Sequence, residues 1–123
     1  MERRFSVLKH TLPGDQGWHY DLFFEMEERL FSLKLDQAPS HDFVALRQFD
    51  HRKRYLDYEG PISGDRGFVE LWDKGVMKGE VRPGERFQVE LFGAKLSACL
   101  TVEPSKDGSE NGEAYRIWRG QSS

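Results

Sequence analysis

The sequence holds a single cysteine, Cys99, in 123 residues. No internal disulfide can form, so a packed core has to supply the stability, and a reducing, intracellular setting fits. Cys99 itself lies in an apolar alternating run, which predicts a core position. No apolar run approaches membrane-spanning length. Met1-Glu2-Arg3-Arg4 is not followed by the apolar stretch of a signal peptide. The expectation is therefore a cytoplasmic protein without a membrane partner. Positive charge is in short supply too: 18 Lys and Arg face 21 Asp and Glu, for a net charge of −3. That balance argues against a bulk electrostatic nucleic-acid binder and leaves room only for a local basic site. A sustained 3.6-residue apolar period is also missing, so little helix is expected.

What the chain has instead is aromatic side chains in short alternating runs. Nine Phe, four Tyr and three Trp can fill the core of one domain of this length. Alternation predicts strands at Phe5 to His10, Trp18 to Glu25, Arg29 to Leu35, Phe43 to Phe49, Phe68 to Asp73, Val76 to Val81, Arg86 to Phe92, Lys95 to Val102 and Ala114 to Arg119. Turn formers separate them: Pro13, Gly14, Asp15 and Gly17, then Glu27-Glu28, Pro39, the glycine-rich Pro61 to Gly67, Asp73-Lys74-Gly75 as a hairpin turn, and Pro83-Gly84. Trp72 is expected in the core. The predicted fold is all-β: a compact single-domain β-barrel of about eight strands spanning residues 1–120, with a disordered tail at 121–123. Closure is attractive because a barrel leaves no open strand edge. A monomer is expected.

The chemistry concentrates in the Trp18 to Glu25 strand. Side chains alternate between two faces, so Tyr20, Leu22 and Phe24 share the face to be buried, and His19, Asp21, Phe23 and Glu25 share the other. His10 ends the preceding strand. If the two strands pair, two imidazoles and a carboxylate meet as a facial ligand set with open positions, suited to Mn, Fe or Zn. An ion so held can polarise a phosphoryl oxygen or activate water. His41, in a proline-containing loop, is expected to be an exposed loop residue. The remaining histidine, His51, lies in the most charged stretch of the chain, Asp50 to Gly60, which includes Arg52, Lys53, Arg54 and Tyr55.

Taken together, these blocks resemble the 3′-phosphoesterase domain of bacterial DNA ligase D. The marks are Phe5-Ser6-Val7-Leu8-Lys9-His10, His19-Tyr20-Asp21-Leu22, Asp50-His51 with Tyr55 and Tyr58-Glu59-Gly60, and Val69 to Gly75. The run Phe87 to Leu96, with Gly93, fits as well. The resemblance runs from about Phe5 to Arg119. It implies a manganese-dependent β-barrel that trims ribonucleotides and removes phosphate from the 3′ ends of nucleic acid during DNA repair, with a DNA ligase as partner. It also implies roles: metal ligation by His10, His19 and Asp21, contact with the scissile phosphate by His51, and Tyr55 beside it. Glu25 would orient the set, and Glu59 would shape the loop or touch the site.

The departures lie in the phosphate clamp. Phe23 and Phe43 stand where the family places phosphate-binding arginines, and a phenyl ring binds no phosphate. Arg47 shares a strand face with His51 if the strand runs that far, and Arg52 and Arg54 are adjacent in sequence, so these are the candidate replacements. The interval between His10 and His19 is longer than in the family, and the turn after Gly60 is shorter. The alternative function is a non-catalytic metal- or nucleic-acid-binding barrel that has lost turnover with its arginines.

Overall fold

A computed structural model of the chain describes residues 2–39, 42–105 and 114–119. His41, most of the polar loop before Ala114 and the tail lie outside the described residues. Strand β1 (Arg3–Thr11) sends Phe5 and Val7 to one side and Leu8 to the other, and the next strands repeat the pattern. These are β2 (Trp18–Glu25), β3 (Arg29–Leu35), β4 (Phe43–Arg52), β5 (Gly60–Pro61), β6 (Phe68–Gly79), β7 (Phe87–Gly93), β8 (Ser97–Pro104) and β9 (Ala114–Arg119). Neighbours pair antiparallel in the order β1-β2-β3-β4-β9-β8-β7-β6, and β6 returns to β1. The result is a closed eight-stranded barrel, as the alternation predicts, with the short β5 added along β6. The one helical element described is a single 3-10 turn, Lys53–Tyr55. No helix among the described residues is long and apolar enough to cross a membrane.

The interior is a continuous apolar cluster built around stacked and edge-on aromatics. Phe31 meets Phe24, Phe87 and Tyr115 with ring centroids 5.6–6.2 Å apart. A second, smaller cluster lies outside the barrel wall: Leu8, Phe23, Leu30 and Val69 are covered by Leu56, Tyr55, Tyr58 and Ile62. The segment that runs from the 3-10 turn through β5 is thus an apolar strap over the outer faces of β1, β2, β3 and β6. Alternation alone would leave the polar face of β2 to solvent, but that face is covered. His19, Asp21 and Phe23 are all buried beneath or beside this strap.

Two bulges set the geometry that matters. Val7 pairs with Asp73 and Leu8 with Leu71, so Trp72 is an extra residue on β6. Asp73-Lys74-Gly75 is therefore no hairpin turn. It sits inside one long strand that bends at Trp72, whose ring is only half-buried against the core. Past the bend, the Asp73 carboxylate accepts four backbone N–H groups, from Lys74 (2.9 Å), Ala94 (2.9 Å), Lys95 (3.0 Å) and Leu96 (2.6 Å), and so fixes the β7–β8 connection. Gly93 has to be glycine there, because a Cβ would overlap the Asp73 carboxylate and the Phe5 ring. On β4, Gln48 pairs with Ser32 and His51 with Leu30, which leaves Phe49 and Asp50 together opposite Phe31. This second bulge inverts the alternation along β4. Cys99, expected in the core, is half-buried on β8.

Candidate metal centre

His10 and His19 are direct cross-strand partners in the β1–β2 ladder, and Asp21 follows two residues along β2. Their side chains converge as the sequence predicts. His10 Nδ1 lies 3.2 Å from His19 Nε2 and 3.7 Å from Asp21 Oδ2, and His19 Nε2 lies 3.2 Å from Asp21 Oδ1. Two ligands bonded at metal–nitrogen or metal–oxygen lengths and at angles near 90–110° stand about 2.8–3.6 Å apart. The two 3.2 Å spacings fall inside that range and the 3.7 Å spacing just beyond it, and with all three donors within 4.8 Å of one another they can close on one shared ion.

Proton bookkeeping supports the same fit. His10 Nε2 is 2.7 Å from the Arg66 carbonyl, which can only accept, so Nε2 carries the proton and Nδ1 presents its lone pair to the cluster. A histidine ligand whose second nitrogen donates to a carbonyl is the usual outer support of a metal site. Gln48 Nε2 donates to Asp21 Oδ1 at 2.9 Å and orients the carboxylate. His19 has no such second support among the described residues: its Nδ1 is buried without a partner. The three donors can hold a divalent metal ion from one side, which leaves the ion's other positions open.

These groups line one cavity of about 240 Å³. His51 and Tyr55 also line it, and Leu8, Phe23 and Val69 provide apolar surface. His51 reaches the cavity because of the β4 bulge, which returns both Gln48 and His51 to the outer face. Its Nδ1 sits 2.8 Å from Ser32 Oγ and 3.0 Å from the Phe49 carbonyl. Ser32 Oγ donates to the Leu30 carbonyl (3.0 Å), so it accepts from His51, and both contacts place the proton on Nδ1. Nε2 is left as the basic nitrogen. Burial pushes the His51 pKa below the ordinary imidazole value; Asp21, the Phe49 carbonyl and Asp50 pull the other way, and His10 adds to the lowering. Around His51 the rings of Phe49 (4.9 Å, nearly parallel), Phe23 (5.0 Å) and Tyr55 (6.1 Å) form an aromatic collar.

Several sequence-based candidates fall elsewhere. Arg47 does not share the His51 face, because the bulge separates them. Its guanidinium lies over the Phe31 ring at 4.6 Å and bonds to Asp50 at 3.2 Å. Arg52 is exposed at the end of β4 and Arg54 stacks on Tyr55 (5.1 Å); neither lines the cavity. Glu25 does not orient the cluster. It accepts from the Arg4 backbone N–H (3.0 Å) and pairs with Lys53 (3.7 Å), tying the strap to the barrel. Glu59 accepts from Leu71 N at 3.0 Å, a structural bond along β6. Phe43 packs against the interior cluster and does not line the cavity, whereas Phe23 is part of the cavity wall. Gln48, Ser32 and Arg66 escaped the sequence reading. The one sequence signal for Arg66 was its place in the glycine-rich turn. No protein-family model matches this chain, and no curated protein matches it.

Proposed function

We propose that this barrel is a metal-dependent phosphoesterase acting on 3′-terminal phosphate or ribonucleotide ends of nucleic acid, in the manner of the 3′-phosphoesterase domain of DNA ligase D that its motifs resemble. The observation that carries this reading is the convergence of His10, His19, Asp21 and His51 on one cavity. A divalent ion at the His-His-Asp cluster, manganese on the strength of the resemblance, would supply positive charge to a phosphoryl oxygen. His51 serves the proton. Its lowered pKa keeps it neutral at neutral pH, with Nε2 free to accept a proton from an attacking water, and Ser32 and the Phe49 carbonyl hold the ring in that tautomer. Tyr55, against the edge of His51, limits how the ring can turn and brings a phenol to the same cavity. Leu8, Phe23 and Val69 make a dry wall that strengthens each charge interaction within.

The test is metal content after purification, followed by release of phosphate from a 3′-phosphorylated oligonucleotide and cleavage of a chromogenic phosphodiester with manganese added. Activity that disappears with a chelator and in His51→Ala is the expected result. A second reading, a metal-binding barrel without turnover, draws on Phe23: a 1% exposed ring occupies the wall where the resemblance calls for an arginine. Manganese bound at the cluster with neither substrate cleaved selects that second reading.

A further inference from the structure

We propose that Arg66 is the phosphate-binding arginine of this site, its guanidinium turning from Ser63 onto the oxygens of a phosphoryl group in the cavity. The inference rests on the phosphoesterase reading and names a residue that reading lacks. A phosphoester brings negative charge to a cavity that also holds the Asp21 carboxylate, so a cationic side chain beside the ion is the partner its oxygens call for. Among the described residues, Arg66 is the one lysine or arginine that lines the cavity.

Its backbone is fixed at the cluster. The Arg66 carbonyl accepts from His10 Nε2 at 2.7 Å, so the side chain starts one imidazole away from a ligand atom. The loop that carries it is closed by the bond from Ile62 N to the Gly67 carbonyl at 2.8 Å. Gly67 adopts φ of 90° and lies so close to the Thr11 carbonyl that a Cβ could not be fitted. The anchor is therefore specified by sequence, and the side chain above it is not committed. The guanidinium rests on its own loop, with Nε donating to the Ser63 carbonyl at 2.7 Å and one terminal nitrogen 3.4 Å from Ser63 Oγ. It has no carboxylate partner among the described residues, and the side chain is exposed. Two neutral acceptors on a surface loop are a weak hold compared with a phosphate, to which a guanidinium makes paired, charge-assisted bonds.

The experiment measures binding, not turnover. Manganese-loaded wild type, Arg66→Ala, Arg66→Lys and Arg54→Ala are titrated calorimetrically with inorganic phosphate, and manganese affinity is measured separately without phosphate. Arg66→Ala should weaken phosphate binding by about 10- to 100-fold, the loss typical of a hydrogen-bonded charged group. Arg66→Lys should fall between it and wild type. Arg54→Ala should stay within about twofold of wild type, because it changes the net charge equally but stands outside the cavity. Manganese affinity should be the same in all four, since the His10 contact uses the Arg66 backbone. Phosphate bound equally well by Arg66→Ala and wild type overturns the inference and leaves the phosphoesterase reading standing. So does an equal loss in Arg54→Ala, or a parallel loss of manganese. A manganese-loaded wild type that binds no phosphate overturns both.

Discussion

Two aspartates in this barrel are buried to the same degree, Asp73 and Asp21 each at 5% exposure, and they are put to opposite uses. Asp73 sits past the β6 bulge, where four backbone N–H groups converge on its two oxygens. Its acceptor capacity is taken up by the fold. Asp21 receives one amide donor, from Gln48, and otherwise faces two imidazoles. A buried carboxylate is tolerable only when something compensates its charge. At Asp73 the compensation is main chain and permanent. At Asp21 it is left to groups that a cation can join. Counting donors separates a structural acid from a candidate ligand, which burial alone cannot do.

The largest expected effect follows from Asp73. Asp73→Ala leaves four backbone N–H groups without their acceptor, the Leu96 N–H buried and the other three part-buried, and a buried unsatisfied donor costs about 1–3 kcal/mol before local rearrangement. With partial rearrangement of the β7–β8 connection, the barrel should lose roughly 3–5 kcal/mol, read from urea denaturation. Asp73→Asn should recover only part, because an amide offers one acceptor oxygen. A loss in Asp73→Ala below about 1 kcal/mol would show that the four bonds are dispensable and remove one side of the comparison.

Asp21→Ala should behave in the opposite way. The covered face of β2 means that the replacement is not free of structural cost, since Gln48 loses its acceptor; about 1 kcal/mol is expected, the size of one net hydrogen bond. Metal affinity should instead fall by at least about 100-fold, since one of three ligands is gone. Calorimetric titration with manganese or zinc measures it. Affinity should also decline in wild type as pH is lowered, because ligand imidazoles must be deprotonated to bind an ion. A large loss of stability with metal affinity intact would make Asp21 a second Asp73.

Gln48→Leu gives a smaller and sharper test. The Asp21 carboxylate would keep its place on β2 but lose the amide that orients it. Removal of such an outer partner typically weakens a metal site by about 10- to 100-fold. The lower end is expected here, because His10 retains its own support from the Arg66 carbonyl. Fold stability should move little. If metal affinity is unchanged in Gln48→Leu, the orientation of Asp21 comes from the strand alone.

How far the site was legible in the sequence depends on whether alternation survives along each strand. It does along β1 and β2, so His10, His19 and Asp21 could be brought together from the register of a single hairpin, and the barrel could be read from the succession of short apolar runs. It fails at the two bulges. An extra residue on one strand leaves no mark in composition, yet it moves every later side chain to the other face. That is why Asp73-Lys74-Gly75 reads as a turn and why strict alternation puts Arg47 on the His51 face. The polar partners were hidden for a different reason. Gln48, Ser32 and Arg66 act through contacts between strands or loops distant in sequence, 27 residues from Asp21, 19 from His51 and 56 from His10. The strap over β2 was hidden because Asp50 to Gly60 looks charged overall, while Leu56, Tyr55 and Tyr58 turn its underside apolar.

The smallest effect concerns His51, which stands between the two kinds of environment. Desolvation lowers its pKa, and part of that desolvation comes from the Phe49 ring stacked on one face of the imidazole. Phe49 is itself 76% exposed, so Phe49→Ala should change stability by no more than about 0.5 kcal/mol. The His51 pKa should nevertheless rise towards about 6.5, the value of a solvated imidazole. The consequence for stability has a definite sign. An unfolded chain protonates this histidine at about 6.5, whereas the folded state resists until a lower pH, so the unfolded state binds more protons in between. Wild type should therefore lose stability as pH falls from about 6.5 through the lowered His51 pKa, and the variant should lose less over the same interval. Proton NMR titration of the His51 ring in metal-free protein measures the first change, and denaturation at pH values across that window measures the second. A His51 midpoint in Phe49→Ala no higher than in wild type would mean that the strap and Ser32 alone shield the imidazole, and that the exposed ring plays no part in keeping it neutral.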